Sequence, residues 1–266
     1  MIRYLTVFLA LPVFASAQPL NDDLRAQLHA AQIIFLGETH DNPAHHEIQA
    51  DIVAQIAPKA VVYEMITEAQ AAQVHGEIVK DETALEQALG WNDSGWPDFA
   101  IYYPIFAASA EAQIYGAAVP REAASMAMGD GLVAAFGAQA AAFGLDAPLD
   151  PDQQAEREAM QMKAHCDALP AELLPAMVDV QRLRDARLAQ VAIEALDDTG
   201  GPVVVITGNG HARADWGAPV ALAQVRPDVA VIALGQGEDG IVPKGRFDAV
   251  LQSPPAERED PCLAFN

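Results

Sequence analysis

Short apolar runs alternate with helical patterns along most of the chain. Strands are predicted where a few apolar residues run together, and helices where apolar residues recur every three or four positions. The predicted strands are 33–36, 60–65, 113–119, 203–207 and 229–234, with 247–251 at an edge. The main predicted helices are 21–30, 45–56, 67–75, 82–89, 102–112, 150–169 and 171–196. This alternation is typical of an α/β fold, with a mostly parallel central sheet flanked by helices.

The stretch from about 81 to 196 holds more helix than a single crossover between strands needs. We therefore predict that residues 18–266 form one domain, in which this stretch is a helical insertion capping the carboxyl edge of the sheet. The loop at 90–97 carries two of the three tryptophans, Trp91 and Trp96, which indicates that it covers something.

Residues 1–17 have the pattern of a secretory signal peptide. They contain one positive charge at Arg3, an apolar centre and an Ala-x-Ala ending at Ala17, after which cleavage is predicted. A lipid anchor is not predicted, because no cysteine follows the apolar segment. We expect a soluble protein of the periplasm or the extracellular space.

The chain is strongly acidic. Its formal charge of −22 becomes −23 once Arg3 is removed with the signal peptide. Such a surface repels nucleic acid and anionic lipid, so neither is an expected partner. Acidity of this size is typical of a protein that is kept soluble or adapted to salt.

Two cysteines, Cys166 and Cys262, are the only ones in the sequence. In an oxidising compartment a disulfide between them is expected, and it would tie the C-terminal tail to a long helix. A free thiol or a ligand role for Cys166 stays open, because His165 lies next to it.

Two strands end in the same Gly-x-x-His pattern, at residues 37–40 and 208–211. Ligands of parallel sheets bind outside the carboxyl ends of the strands, so we expect these two loops to meet there. His45 and His46 follow the first loop at the start of a helix. Because adjacent helical residues point about 100° apart, at most one of them is expected to face the loop of His40.

Two carboxylates and two imidazoles should converge at this edge: Glu38, His40, Glu64 and His211. They have three chemical uses, namely holding a divalent metal, acting as a general base with its orienting partner, or forming a polar ligand pocket. The usual zinc-binding spacings are absent, so sequence spacing gives the metal little support.

Five blocks together resemble the ChaN-like haem-binding proteins, which share a superfamily with Tiki metalloproteases, erythromycin-esterase-like hydrolases and TraB-type proteins. The blocks are 37–46, 63–65, 165–170, 181–186 and 208–211, and the resemblance spans about residues 30–262. It implies an α/β core with a helical subdomain and haem binding in iron acquisition rather than catalysis. It also implies a homodimer with haem at its interface, tyrosine on the iron, histidine near the propionates, and outer-membrane uptake machinery as a partner. Many relatives are lipoproteins, from which this chain departs.

Haem requires an apolar slot, an axial donor, and cations or imidazoles for its propionates. The predicted apolar cover is Trp91, Trp96, Phe99 and the region of Met160 and Met162. The predicted haem-binding residues are Tyr103 and Tyr102 as donors, with Tyr103 preferred, and His40, His211, Arg121 and Arg213 near the propionates. Arg182 and Arg184 are expected to form internal ion pairs, and His165 a structural hydrogen bond.

The alternative is a metal-dependent hydrolase, either a peptidase or an esterase. In it Glu38, His40, Glu64 and His211 bind a divalent ion, whose water attacks the substrate while a carboxylate takes its proton. Both hypotheses use the same loops, so residue positions alone do not separate them.

Overall fold

The computed structural model of the protein describes residues 20–260 and 262–263, and the predicted signal peptide lies outside this part. The described strands are β1 (Ile33–Glu38), β2 (Ala60–Tyr63), β3 (Gln113–Gly116), β4 (Val203–Gly208), β5 (Val231–Glu238) and β6 (Ala249–Ser253). The described α-helices are α1 (Asp22–Ala30), α2 (Pro43–Ile56), α3 (Glu68–Ala71), α4 (Glu82–Leu89), α5 (Phe99–Ala108), α6 (Arg121–Gly129), α7 (Leu132–Phe136), α8 (Pro151–Ala164), α9 (Leu174–Thr199), α10 (Asn209–Ala212) and α11 (Ala218–Val225).

The described strands form one sheet in the order β3-β2-β4-β1-β5-β6. Every pairing within it is parallel, which confirms the predicted α/β class and the edge position of the last strand. Strand β4 lies between β2 and β1, although it follows them by more than a hundred residues in the chain. The carboxyl ends of these three strands are therefore neighbours, and the candidate site is built there.

Successive residues of each strand enter two apolar layers on opposite faces of the sheet. Ile34 and Leu36 of β1 belong to the layer shared with α1, α2, α4 and α5. Ile33 and Phe35 belong to the layer shared with α9 and α11. Fully burying side chains of this size contributes about 1.5–3 kcal/mol each, so both faces hold the sheet in place.

Helix α5 begins earlier than predicted, at Phe99 rather than at residue 102. The side chain of Asp98 accepts a hydrogen bond from the backbone nitrogen of Ala100 and so caps the helix. Pro104 consequently lies inside the helix. The prediction was wrong because it took this proline as the start signal and overlooked the aspartate cap.

Two other helices end before their predicted limits. The side chain of Thr67 caps α3, but the helix stops at Ala71 rather than at residue 75. Helix α8 stops at Ala164 rather than at residue 169, since Cys166 and Asp167 adopt left-handed backbone angles with φ of 58° and 57°.

The segment 81–196 contains the edge strand β3 as well as helices α4 to α8 and most of α9. Helix α9 packs along one face of the sheet through residues such as Leu188 and Ala192. Its Asp185 reaches the carboxyl edge, where it contacts the β4 loop. The division into a core and an inserted cap stays a prediction.

The predicted disulfide between Cys166 and Cys262 is present and joins residues 96 positions apart. It excludes the free thiol, and the Nδ1 atom of His165 lies 2.8 Å from the carbonyl oxygen of Gln161, as expected for a structural histidine. Upstream of the disulfide, the Arg258 guanidinium donates to the carboxylates of Asp41 and Glu238. In the part of the chain that the structure describes, no helix combines the length and apolarity needed to cross a membrane.

Candidate functional site

The two Gly-x-x-His loops meet at the carboxyl edge of the sheet. A Cβ atom built on Gly208 would lie 2.9 Å from the Nε2 atom of His40, so the first imidazole packs directly against the second loop. The carboxylate of Glu64, at the end of β2, accepts a hydrogen bond of 2.9 Å from the Gly208 nitrogen. The structure thus brings together all four residues that the sequence placed at this edge.

Glu38 is the centre of the first half of the site. Its buried carboxylate oxygen Oε1 accepts a hydrogen bond of 2.9 Å from the Tyr102 hydroxyl and lies 2.8 Å from Nδ1 of His40. Its second oxygen lies 3.3 Å from Nδ1 of His46. Burial opposes the charge of Glu38, but the hydrogen bond with His40 and the charge of His46 leave the pKa of Glu38 lowered.

His40 is held as a cation at neutral pH. Burial opposes the charged imidazole, but the hydrogen bond to Glu38 and the negative charge of Glu64 raise the pKa of His40 to about 9. Its side chain is 36% exposed, and its ring lies 4.8 Å from that of Trp96. His40 is therefore a positive, solvent-accessible group beside an aromatic ring.

Glu64 and His211 form the second half of the site. Oε2 of Glu64 also accepts a 2.5 Å hydrogen bond from Thr207, and its Oε1 lies 3.6 Å from Nε2 of His211. Nδ1 of His211 lies 2.7 Å from the buried carboxylate of Asp185. Burial again opposes the charges, but the neighbouring carboxylates raise the pKa of His211, and the charges of His211 and His40 lower the pKa of Glu64 to about 2.

Both His45 and His46 are buried against the first loop, so the expectation that at most one could face it was wrong. Nδ1 of His45 accepts a 2.8 Å hydrogen bond from the backbone nitrogen of Thr39, and Nε2 of His46 lies 3.0 Å from the carbonyl oxygen of His40. The loop folds back over the start of α2, so it meets two adjacent positions of the helix from different sides.

The two candidate tyrosines differ in accessibility. Tyr102 is buried, and its hydroxyl donates a hydrogen bond to Glu38. Tyr103 is half-buried, its ring lies 6.1 Å from that of Phe99, and its hydroxyl makes no hydrogen bond to another described residue. Of the two phenols, only that of Tyr103 is free to bind a ligand.

Neither candidate arginine forms an ion pair with the described carboxylates of this edge. Arg213 is buried, with a double hydrogen bond to Asp215 and its guanidinium 3.4 Å from the centre of the Trp216 ring. Arg121 is exposed at the start of α6. Arg182 forms its expected internal ion pair with Asp179 at 3.5 Å, whereas Arg184 has none to a described residue.

The predicted aromatic cover is divided between the core and the surface. Trp91 and Phe99 are buried, and their rings pack against each other at 5.2 Å. Trp96 is half-buried over His40, and its ring nitrogen donates to the carbonyl oxygen of Met65. Met160 lies elsewhere, in a cavity beside His211.

Asp185 and Arg157 were missed as functional residues by sequence reasoning. Asp185 stands three residues before Leu188 and four before Ala189, which are buried apolar positions of α9. A carboxylate in such an apolar stripe is the signal that was available. Arg157 lies on a helix of polar character, where nothing in the sequence separates a buried arginine from an exposed one.

Among residues 20–260 and 262–263, no group of three or more histidine, cysteine, aspartate or glutamate side chains is arranged to hold a metal ion. The carboxylates and imidazoles pair with each other instead. This arrangement does not favour the metal-dependent hydrolase.

Fold and site together define an α/β protein with a charged, ligand-accessible histidine at the carboxyl edge of a parallel sheet. Residues 24–222 match the family described as "Haem-binding uptake, Tiki superfamily, ChaN". The chain belongs to this family, which confirms the resemblance seen in the sequence.

A solved structure at a TM-score above 0.5 gives the same fold. The structure titled "Cofacial heme binding to ChaN of Campylobacter jejuni" matches with a TM-score of 0.66 and 19% identity, covering 86% of this chain and 90% of that one. The type III effector HopBA1 matches with a TM-score of 0.49 and 12% identity, over 90% of this chain and 97% of that one. A comparison with curated protein sequences gave no significant match.

Proposed function

We propose that this protein binds haem and serves in haem or iron acquisition, without being an enzyme. The observation that carries the proposal is the match of residues 24–222 to a family of haem-binding uptake proteins. ChaN of Campylobacter jejuni, which is described as binding haem cofacially, has the same fold over most of both chains.

The accessible residues of the site fit the chemistry of haem. Ferric iron takes a phenolate as an axial ligand, and Tyr103 supplies a half-buried phenol that no described residue engages. The half-buried ring of Trp96 offers an apolar surface, and the imidazolium of His40 next to it offers a positive charge for a propionate. Arg121 is a second exposed cation. Tyr102, His211 and Arg213 fit less well, since each is already engaged inside the protein.

A hemin titration of residues 18–266, followed by absorbance and compared with albumin, tests haem binding. We expect a saturable shift of the Soret band. Tyr103→Phe should weaken binding at least ten-fold and change the spectrum, because the axial oxygen is lost. The matched control is Tyr115→Phe, which removes the hydroxyl of another half-buried tyrosine, one bonded to Asp198. No saturable shift in the native protein would refute the function.

The role of His40 is tested in the same titration. His40→Ala should weaken hemin binding several-fold while leaving the position of the Soret band unchanged, because it removes a charge near a propionate and not the iron ligand. His75→Ala, at an exposed histidine, is the control. An unchanged affinity in His40→Ala would remove His40 from the haem site.

Haem uptake also requires export and a partner. We propose that the protein is secreted through residues 1–17, acts in the periplasm or outside the cell, and pairs with a second copy around haem. Fractionation of cells should recover a chain that begins at Gln18. Light scattering should show a dimer upon addition of hemin, and an unchanged monomer with hemin bound would refute the pairing.

A further inference from the structure

A small cavity lies beside His211. Its volume is about 60 Å³, and its lining includes Arg157, Asp185, His211, Gln181 and Trp216. A cavity of about 10–15 Å³ holds one water molecule, so this cavity has room for a group of a few heavy atoms and not for a porphyrin ring.

Arg157 is the residue that marks this cavity as a binding site. It is only 9% exposed, and its Nε atom is buried without a hydrogen bond to any described residue. Its guanidinium lies 4.9 Å from the centre of the Trp216 ring. One Nη atom donates to the Trp216 carbonyl oxygen at 3.2 Å and to the side-chain oxygen of Gln153 at 3.4 Å. A buried donor left without an acceptor is costly, so Arg157 is positioned for an acceptor that comes from outside the chain.

The carboxylates around the cavity do not accept a hydrogen bond from Arg157. Asp185 is the nearest carboxylate, but it lies 4.0 Å from Arg157 and is engaged by Nδ1 of His211 at 2.7 Å. The Arg213 guanidinium is likewise taken by Asp215. Arg157 is therefore a cation that the internal carboxylates do not neutralise through a hydrogen bond, in a protein otherwise dominated by negative charge.

We propose that this cavity is a subsite for a carboxylate group. A carboxylate has the planar shape that a guanidinium binds through two parallel hydrogen bonds, and its three heavy atoms suit the volume. Gln181 supplies an amide donor to the same space, and Met160 and Val178 give apolar contact for the carbon chain. The carboxylate belongs either to a free small acid or to a propionate of haem, and only the second source rests on the function proposed above.

Titration with sodium propionate tests the subsite without haem. Trp216 lines the cavity, so its fluorescence should change saturably with propionate, and the change should be absent in Trp216→Phe. Propionamide, which has the same shape without the charge, should not bind. Arg157→Gln should weaken propionate binding at least ten-fold, whereas Arg226→Gln, at an arginine paired with Asp197 and Asp228 on the surface, should not change it.

A second arm distinguishes the source of the carboxylate. If a haem propionate occupies the subsite, Arg157→Gln weakens hemin several-fold and leaves hemin dimethyl ester unaffected. If a free acid occupies it, propionate binding depends on Arg157 while hemin binding does not. Should Arg157→Gln fail to fold, both titrations are repeated with Gln181→Leu, which keeps the side-chain volume and removes the amide donor.

Two results would overturn the subsite. In the first, propionate and propionamide bind equally or neither binds, and hemin and its dimethyl ester also bind equally. The other is a folded Arg157→Gln protein that binds propionate and hemin as the native protein does. Failure of hemin alone to bind would refute the haem function and leave the propionate result to decide the subsite.

Discussion

Single buried side chains fix the geometry of the site, and Glu64 shows how. Its carboxylate lies at the end of a four-residue strand, and it is oriented by the hydroxyl and backbone of the neighbouring strand, from Thr207 and Gly208. The sequence placed Glu64 at this edge correctly. It did not show that Thr207 binds it, because a threonine at the end of an apolar run is equally typical of an ordinary strand residue.

Thr207→Val should destabilise the protein, because it leaves one oxygen of a buried charged carboxylate without its hydroxyl donor. We expect a loss of about 1.5–3 kcal/mol in the free energy of unfolding, measured by urea denaturation with the disulfide intact. Thr199→Val is the matched control, since the Thr199 hydroxyl binds a carbonyl oxygen within its own helix. A loss no larger than that of the control would show that the Thr207 hydroxyl does not support Glu64.

His40 should make stability depend on pH on the alkaline side. Its pKa is raised from 6.5 to about 9, so its contribution is fully present below pH 6.5 and is lost as the pH rises through about 9. Because its side chain is more than a third exposed, solvent screening reduces the expected loss to about 1 kcal/mol. His211, whose pKa is also raised, contributes in the same direction.

Urea denaturation at several pH values between 6 and 9.5 measures this effect. The native protein should lose stability over this range, and His40→Gln should lose less of it, with the remainder from His211. The same slope in both proteins would contradict a charged His40.

On the acid side, the pKa of Glu64 of about 2 means that the contribution of Glu64 to stability, present above pH 4.5, is lost as the pH falls through about 2.

At the scale of elements, the disulfide joins the end of α8 to the C-terminal tail. The tail is also held by Arg258, which bridges Asp41 in the β1–α2 loop and Glu238 of β5. Arg258 thus keeps the tail near the loop of His40, and the disulfide at Cys262 ties the tail to the end of α8.

Cys262→Ser should lower the free energy of unfolding by about 2–5 kcal/mol, because a link across 96 residues restricts the unfolded chain. Thermal denaturation followed by circular dichroism measures the change. Leu263→Ser, at the neighbouring exposed residue, should change stability by less than about 0.5 kcal/mol. Equal melting temperatures of native and Cys262→Ser proteins would show that the link is not needed for stability.

For the whole molecule, the acidic surface is the dominant electrostatic feature. With a formal charge of −22, the folded state repels itself, and salt screens this repulsion. We expect the melting temperature to rise by several degrees between 10 and 300 mM sodium chloride, which differential scanning calorimetry measures. The buffers contain no guanidinium. A parallel series in potassium chloride separates charge screening from effects specific to the sodium ion. A falling melting temperature would show that surface ion pairs outweigh the repulsion.

Helix and strand identities were largely determined by the sequence, because they depend on local period and caps. The alternation of strands and helices gave the fold class, and α1 and α4 lie within one residue of their predicted bounds. Errors arose where a local signal had two meanings, as for Pro104, which was taken as a helix start and lies within α5. The family was also readable from ordered short motifs.

Only the tertiary structure decided which chemical groups are free. The sequence favoured Tyr103 over Tyr102 only through its place before Pro104. The structure shows that Tyr102 donates to buried Glu38, whereas the Tyr103 hydroxyl is unengaged. Likewise Arg157, which no sequence pattern distinguished, lines a cavity, whereas Arg213 is already paired with Asp215. The physical reason is that hydrogen bonding and burial depend on partners far apart in the chain. Local sequence determines the elements, and the packing of distant elements determines which side chains remain available for a ligand.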